Sequence, residues 1–110
     1  MYVVGDNNTV YQYTLSSAWD VSTASYDSVS KDVSAQDTTP AGLFFKSDGT
    51  KMYIVGWGND TVYQYSLSSA WDLSTATYDS VSKSVAAQDT SPVGLFFKSD
   101  GTKMYIVGNT

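Results

Sequence analysis

Apolar residues in this chain fall into short runs of two kinds. Leu43-Phe44-Phe45 and Met52-Tyr53-Ile54-Val55 are apolar at consecutive positions, whereas Thr61-Val62-Tyr63-Gln64-Tyr65-Ser66-Leu67 places Tyr63, Tyr65 and Leu67 two apart. Neighbouring residues of a strand point to opposite faces. The first kind therefore predicts strands covered on both sides, and the second a strand with one heavy face. A further run, Tyr78–Val85, is mostly Ser, Asp and Lys, and reads as an outer, wetter strand. Between the first two runs lies Ser47-Asp48-Gly49-Thr50, with Asp-Gly a strong hairpin signal. The short loop Trp57-Gly58-Asn59-Asp60 leads into the third. No segment sustains a period of 3.6, and β-branched, Ser and Gly residues are spread throughout. The expectation is an all-β chain with strands over 42–46, 51–56, 61–67 and 78–85, joined as an antiparallel meander. A flat β-solenoid is the rival; Asp-Gly hairpins suit it less.

This pattern occurs more than once. Thr9–Gly56 returns as Thr61–Gly108, a shift of 52 residues, with seven differences: Thr14/Ser66, Val21/Leu73, Ser25/Thr77, Asp32/Ser84, Ser34/Ala86, Thr39/Ser91 and Ala41/Val93. A fixed period marks one supersecondary unit stacked on copies of itself. The repeats run over about 9–60 and 61–110, with 1–8 a partial unit. Met1-Tyr2-Val3-Val4-Gly5 and Met104-Tyr105-Ile106-Val107-Gly108 are copies of one strand, so the expected assembly is larger than the chain.

Composition narrows the function more than it defines it. Of 110 residues, 42% are apolar and 15% aromatic, nine of them Tyr, which is enough for a packed core. The net charge of −5 comes without a basic cluster. Nucleic acid and anionic membrane are therefore poor partners, since phosphate contacts need Lys and Arg. There is no signal-peptide pattern and no apolar run near membrane-span length, so a soluble chain is expected, its compartment open. With no Cys and no His, the commonest strong nucleophile and general base are missing. No catalytic residue and no cofactor is expected.

The segment Thr90-Ser91-Pro92-Val93-Gly94-Leu95-Phe96-Phe97-Lys98-Ser99-Asp100-Gly101-Thr102-Lys103-Met104-Tyr105-Ile106-Val107-Gly108, continued in the cycle by Asn59-Asp60-Thr61-Val62-Tyr63-Gln64-Tyr65-Ser66-Leu67, resembles the YVTN-type β-propeller repeat. The likeness covers about two-thirds of each unit; the connection 68–76 is longer than that family's. Trp-Asp repeats of virion and bacterial surface proteins are also similar. Near-identical neighbouring units point to an engineered, reconstructed or recently duplicated array. The resemblance implies four-stranded blades, two per chain, with the first strand on the central channel. Two blades leave apolar faces uncovered, which implies a cyclic homo-oligomer. Propellers carry about four to eight blades, and large Phe and Tyr residues favour the wider ring: an eight-bladed tetramer before a six-bladed trimer. Closure is expected by strand exchange, with the amino-terminal copy of the duplicated strand keeping its place in the sheet. The alternative is a glycan- or protein-binding propeller using upper-face loops.

A few residues carry specific expectations. Trp19 and Trp71 read as wedges closing the end of a blade, with Asp20 and Asp72 capping the turn that follows. Trp57, which has no counterpart in the shorter Gly5-Asp6-Asn7-Asn8-Thr9, is a candidate ligand or subunit contact, as are Gln36 and Gln88. Asp37 and Asp89 are weak candidates for a symmetric ring of carboxylates holding a hard cation; the simpler reading has each accept backbone N–H groups of its own turn. Asn7-Asn8-Thr9 and Asn59-Asp60-Thr61 match the glycosylation pattern but read better as turns. Lys46 and Lys51 read as solvated charges.

Overall fold

A computed structural model describes residues 1–109. Its nine strands are β1 (Tyr2–Gly5), β2 (Thr9–Leu15), β3 (Ala24–Asp32), β4 (Pro40–Phe45), β5 (Lys51–Gly56), β6 (Thr61–Leu67), β7 (Ala76–Ser84), β8 (Pro92–Phe97) and β9 (Met104–Gly108). They form three antiparallel sheets in chain order: β1-β2-β3, β4-β5-β6-β7 and β8-β9. The runs 51–56 and 61–67 fold as expected. The first strand starts earlier, at Pro40, and the outer strand sits about two residues earlier. Two short 3-10 turns, Val21–Thr23 and Leu73–Thr75, precede β3 and β7. No helix among the described residues is long and apolar enough to cross a membrane.

The middle sheet is covered on both faces, which explains why β5 is apolar at consecutive positions. Met52, Ile54, Tyr65 and Leu67 share one buried cluster with Val10 and Val33, with Tyr2 and Val4 packed against it. Val55 and Val62 belong to a second cluster, against which Leu95, Met104 and Ile106 of the two-stranded sheet pack. Two small cores on opposite faces of one sheet thus hold the molecule together, each stabilised by apolar area removed from water.

The strands β4 and β8 run close together. A Cβ on Gly42 would lie 2.8 Å from the Gly94 Cα, so this approach requires glycine. The expected burial gradient needs one correction: β5, with four buried residues, is better covered than β4, with one. The reason is that β4 is an edge strand. The outer strand β7 is the wettest, as its Ser and Lys content requires.

Bulges, which the residue pattern did not disclose, bend the outer pair. The β6–β7 register shifts between Gln64 and Tyr65, opposite Ser80 in the left-handed region at φ 58°. The same irregularity lies between Tyr11 and Tyr13 of β2, with Ser28 at φ 58°. Such a bulge strengthens the local twist and re-aims neighbouring side chains. Here it accompanies the approach of Gln64 and Ser66 to the Asp79 carboxylate, at 2.8 and 2.9 Å.

Candidate functional site

The structure holds the same tryptophan loop twice, in two different settings. In both, the sequence Ser-Ser-Ala-Trp-Asp carries the chain from the third strand of a unit to its fourth. Asp20 Oδ1 accepts the Ser22 N–H at 3.0 Å, and Asp72 Oδ1 accepts that of Ser74 at the same distance. Both aspartates thus cap the turn as expected. Trp19 and Trp71 both occupy the left-handed region, at φ 66° and 68°. For a bulky side chain this conformation costs on the order of 1–2 kcal/mol.

Around Trp71 that cost is offset by contacts. Its ring stacks on Phe45 at 5.6 Å and on Tyr2 at 6.3 Å. Its N–H donates to the Gly49 carbonyl at 2.9 Å, and its carbonyl accepts from the Tyr2 hydroxyl. Gly49 is indispensable to this packing: at φ +73° it forms the hairpin, and a Cβ there would lie 2.5 Å from the indole. Beyond the tryptophan, the Leu73 N–H donates to Gln12 Oε1 at 3.0 Å and the Leu73 side chain is fully buried. Trp71 is therefore the wedge that was expected, placed between two sheets.

Trp19 is not. It is 99% exposed, and Val21, the counterpart of Leu73, is 70% exposed. This corrects the expectation of two equivalent wedges. The physical reason is that nothing among the described residues presents a Gly49-type hairpin to the first sheet. A bare hairpin does exist at the other side of the molecule. Gly101, at φ +74°, has nothing within 4 Å of where a Cβ would be. Beside it a cavity of about 750 Å³ opens between the second and third sheets, lined by Phe44, Tyr53, Phe96, Phe97, Gly101 and Tyr105 among others. Phe96, Tyr105 and Val107 are 62%, 53% and 63% exposed.

The other candidate residues are accounted for by local structure. Asp37 is fully buried and accepts the Thr39 N–H at 2.7 Å, and Asp89 likewise accepts the Ser91 N–H at 2.6 Å. Both carboxylates thus serve their own turns. No group of three or more potential metal ligands occurs among the described residues. Gln36 is used inside the fold: its Oε1 accepts the buried Tyr65 hydroxyl at 2.7 Å, and its carbonyl accepts from Asn59. Burial pushes the Tyr65 phenol well above its ordinary pKa. Gln88 is exposed. Trp57 is 53% exposed in a loop anchored by its N–H on the Thr39 carbonyl. Asn8 and Asp60 take positive φ in their turns, as turn residues do.

One reading has to be corrected and one extended. Lys51 is not a solvated charge, because its Nζ donates to Ser66 Oγ at 2.7 Å and to Asp79 at 3.3 Å. Lys46 pairs with Asp48 across 3.0 Å at the surface. The acceptor role of Asp79 was missed by residue-by-residue reading, and so was the fact that no tryptophan packs on the Gly101 hairpin within the chain. The signal for the hairpin was present, since Trp-Asp and Asp-Gly each occur twice at the repeat spacing.

Comparison with protein families, curated proteins and solved structures gave no match for this chain.

Proposed function

We propose that this chain is a self-assembling structural module: two β-propeller blades, without catalytic activity, that complete a ring with copies of itself by strand exchange. The observation that carries the reading is the division into sheets of three, four and two strands. The four-stranded sheet has the order and polarity gradient of a whole blade. Relative to it, the first sheet lacks the innermost strand and the third lacks the outer pair. The exposed β8–β9 surface supplies what the first sheet lacks, and β2–β3 supply what the third lacks.

Such a contact is head-to-tail, so it satisfies every face once the ring closes. Since β1 and β9 are copies of one strand, one must yield its place. The amino-terminal copy is the better held: Met1 N donates to the Tyr13 carbonyl at 2.8 Å, and Tyr13 N–H donates back to Met1. A tetramer with eight blades is favoured over a trimer with six. Native mass spectrometry tests the reading directly. A tetramer is the expected result, a trimer would correct only the count, and a chain that is mainly monomeric would overturn the proposal.

A further inference from the structure

The exposed tryptophan and the bare hairpin are two halves of a contact that the chain already makes once within itself. We infer that Trp19 of one copy seats in a socket formed by Tyr53, Phe97 and Gly101 of a second copy. This rests on the assembly reading above and assigns the residues that would close its interface.

The argument is one of structural identity. The filled site consists of Tyr2, Phe45 and Gly49, with Trp71 in place. Its counterparts one unit along the chain are Tyr53, Phe97 and Gly101. The empty socket already has the shape of the filled one: the rings of Tyr53 and Phe97 lie 4.4 Å apart at 39°, against 4.2 Å and 31° for Tyr2 and Phe45. Its hairpin is also set. Lys98 N–H donates to Lys103 at 2.9 Å and Gly101 N–H to Lys98 at 2.8 Å, against 3.0 and 2.8 Å in the filled site. The Thr102 N–H donates to Asp100 at 3.0 Å, as Thr50 does to Asp48.

The incoming side is equally ready. The Trp19 loop carries the same cap and the same left-handed backbone as the Trp71 loop. The tryptophan loop and the 98–103 turn themselves therefore need little reorganisation, which confines the ordering cost of association to the displacement of one copy of the duplicated strand. The internal site also fixes the hydrogen bonds expected across the interface. Trp19 N–H would donate to the Gly101 carbonyl, the Tyr53 hydroxyl to the Trp19 carbonyl, and the Val21 N–H to Gln64 Oε1. Val21 would then cover Val81, which is 50% exposed, whereas its counterpart Val29 is packed against the core. A Trp packed on aromatic rings is a frequent element of interface hot spots.

The test is sedimentation of the full chain against Trp19→Ala, Gly101→Asn and the double variant. Asn tolerates the left-handed backbone, and the space beside Gly101 is open in the single chain. Circular dichroism of the dilute variants should therefore match the unaltered protein. Each single change is expected to weaken association at least about tenfold, the effect of losing a Trp hot spot. The double variant should be little worse than either single one, because both remove the same contact. Mixing the two single variants should restore part of the assembly, since a Trp19→Ala chain still offers an intact socket to the Trp19 of a Gly101→Asn chain. If the unaltered chain assembles and both variants assemble as well as it does, the socket is refuted while the assembly reading stands. Independent, additive losses without rescue on mixing would also refute the pairing. A chain that stays monomeric at every concentration would overturn both.

Discussion

The two tryptophan loops of this chain share their backbone and, apart from Val21/Leu73, their residues, yet one is packed and the other stands in solvent. Trp71 is 44% exposed and Trp19 99%; Leu73 is fully buried and Val21 is 70% exposed. Because the local sequence differs only at Val21/Leu73, the difference mainly reports what neighbouring sheets contribute. Propensity, turn chemistry and capping produce the loop in both places. Burial is decided by whether a hairpin and a second sheet stand opposite it. In a repeat protein the stability of a unit is partly its own and partly that of its interfaces. Here the two parts can be read from one molecule.

The largest break in the comparison should come at the position following the cap. Leu73→Ala removes a fully buried side chain and leaves a cavity, a loss of about 2–5 kcal/mol. Val21→Ala, measured on the dilute chain, should change stability by less than about 0.5 kcal/mol, as an exposed site does. Chemical denaturation at low concentration checks both values. Repeating it at concentrations where copies associate sharpens the comparison, because Val21→Ala should then become costly while Leu73→Ala changes little further.

Next in size is a pair of changes with opposite signs. Trp71→Gly removes ring contacts covering roughly 100 Å², worth about 2–3 kcal/mol. It recovers about 1 kcal/mol by relieving the left-handed backbone, for a net loss of about 1–2 kcal/mol. Trp19→Gly gives up no packing in the single chain, so only the relief remains and stability should rise by up to about 1 kcal/mol. Thermal melts of the dilute proteins test the signs. A loss at Trp19 equal to that at Trp71 would show that the first loop is packed in solution after all.

How far the sequence disclosed this depended on range. The strands 51–56 and 61–67 were legible because alternation and consecutive apolar runs are set by the two faces of a sheet, which local residues report. The Asp-Gly hairpins and the Asp20 and Asp72 caps were legible for the same reason: each is a bond between residues at most a few positions apart. The contrast between Trp19 and Trp71 was not, because it depends on a hairpin that reaches one loop and not the other. The role of Lys51 was hidden in a similar way. Its partners Ser66 and Asp79 lie 15 and 28 residues away, across a bulge that no local residue pattern announced. The turn role of Asp37 and Asp89 was legible from the Thr-Thr-Pro and Thr-Ser-Pro segments; the complete burial of Asp37 was not.

The smallest difference between the repeats is electrostatic, and pH should expose it. Burial alone would raise the pKa of Asp79, but hydrogen bonds from Gln64, Ser66 and Lys51 outweigh it and hold the carboxyl below its ordinary range. Asp27, its counterpart, is lowered by hydrogen bonds from Gln12 and Thr14, without a lysine to match Lys51. A carboxylate whose pKa is depressed in the folded state contributes stability above the unfolded value, about 3.9. That contribution is lost as pH falls through the lower, folded value. Stability should therefore be flat from neutral pH down to about 4 and decline below it. Asp79→Asn cannot titrate and should flatten that decline, at a cost near neutrality of less than about 1 kcal/mol for a partly exposed pair. Asp27→Asn should flatten it less. Melting temperatures of the three proteins between neutral and strongly acidic pH decide the matter. An acid limb equally steep in Asp79→Asn would place the titrating groups elsewhere, with the Asp48 and Asp100 hairpin carboxylates, also held low by their Thr partners, the next to change.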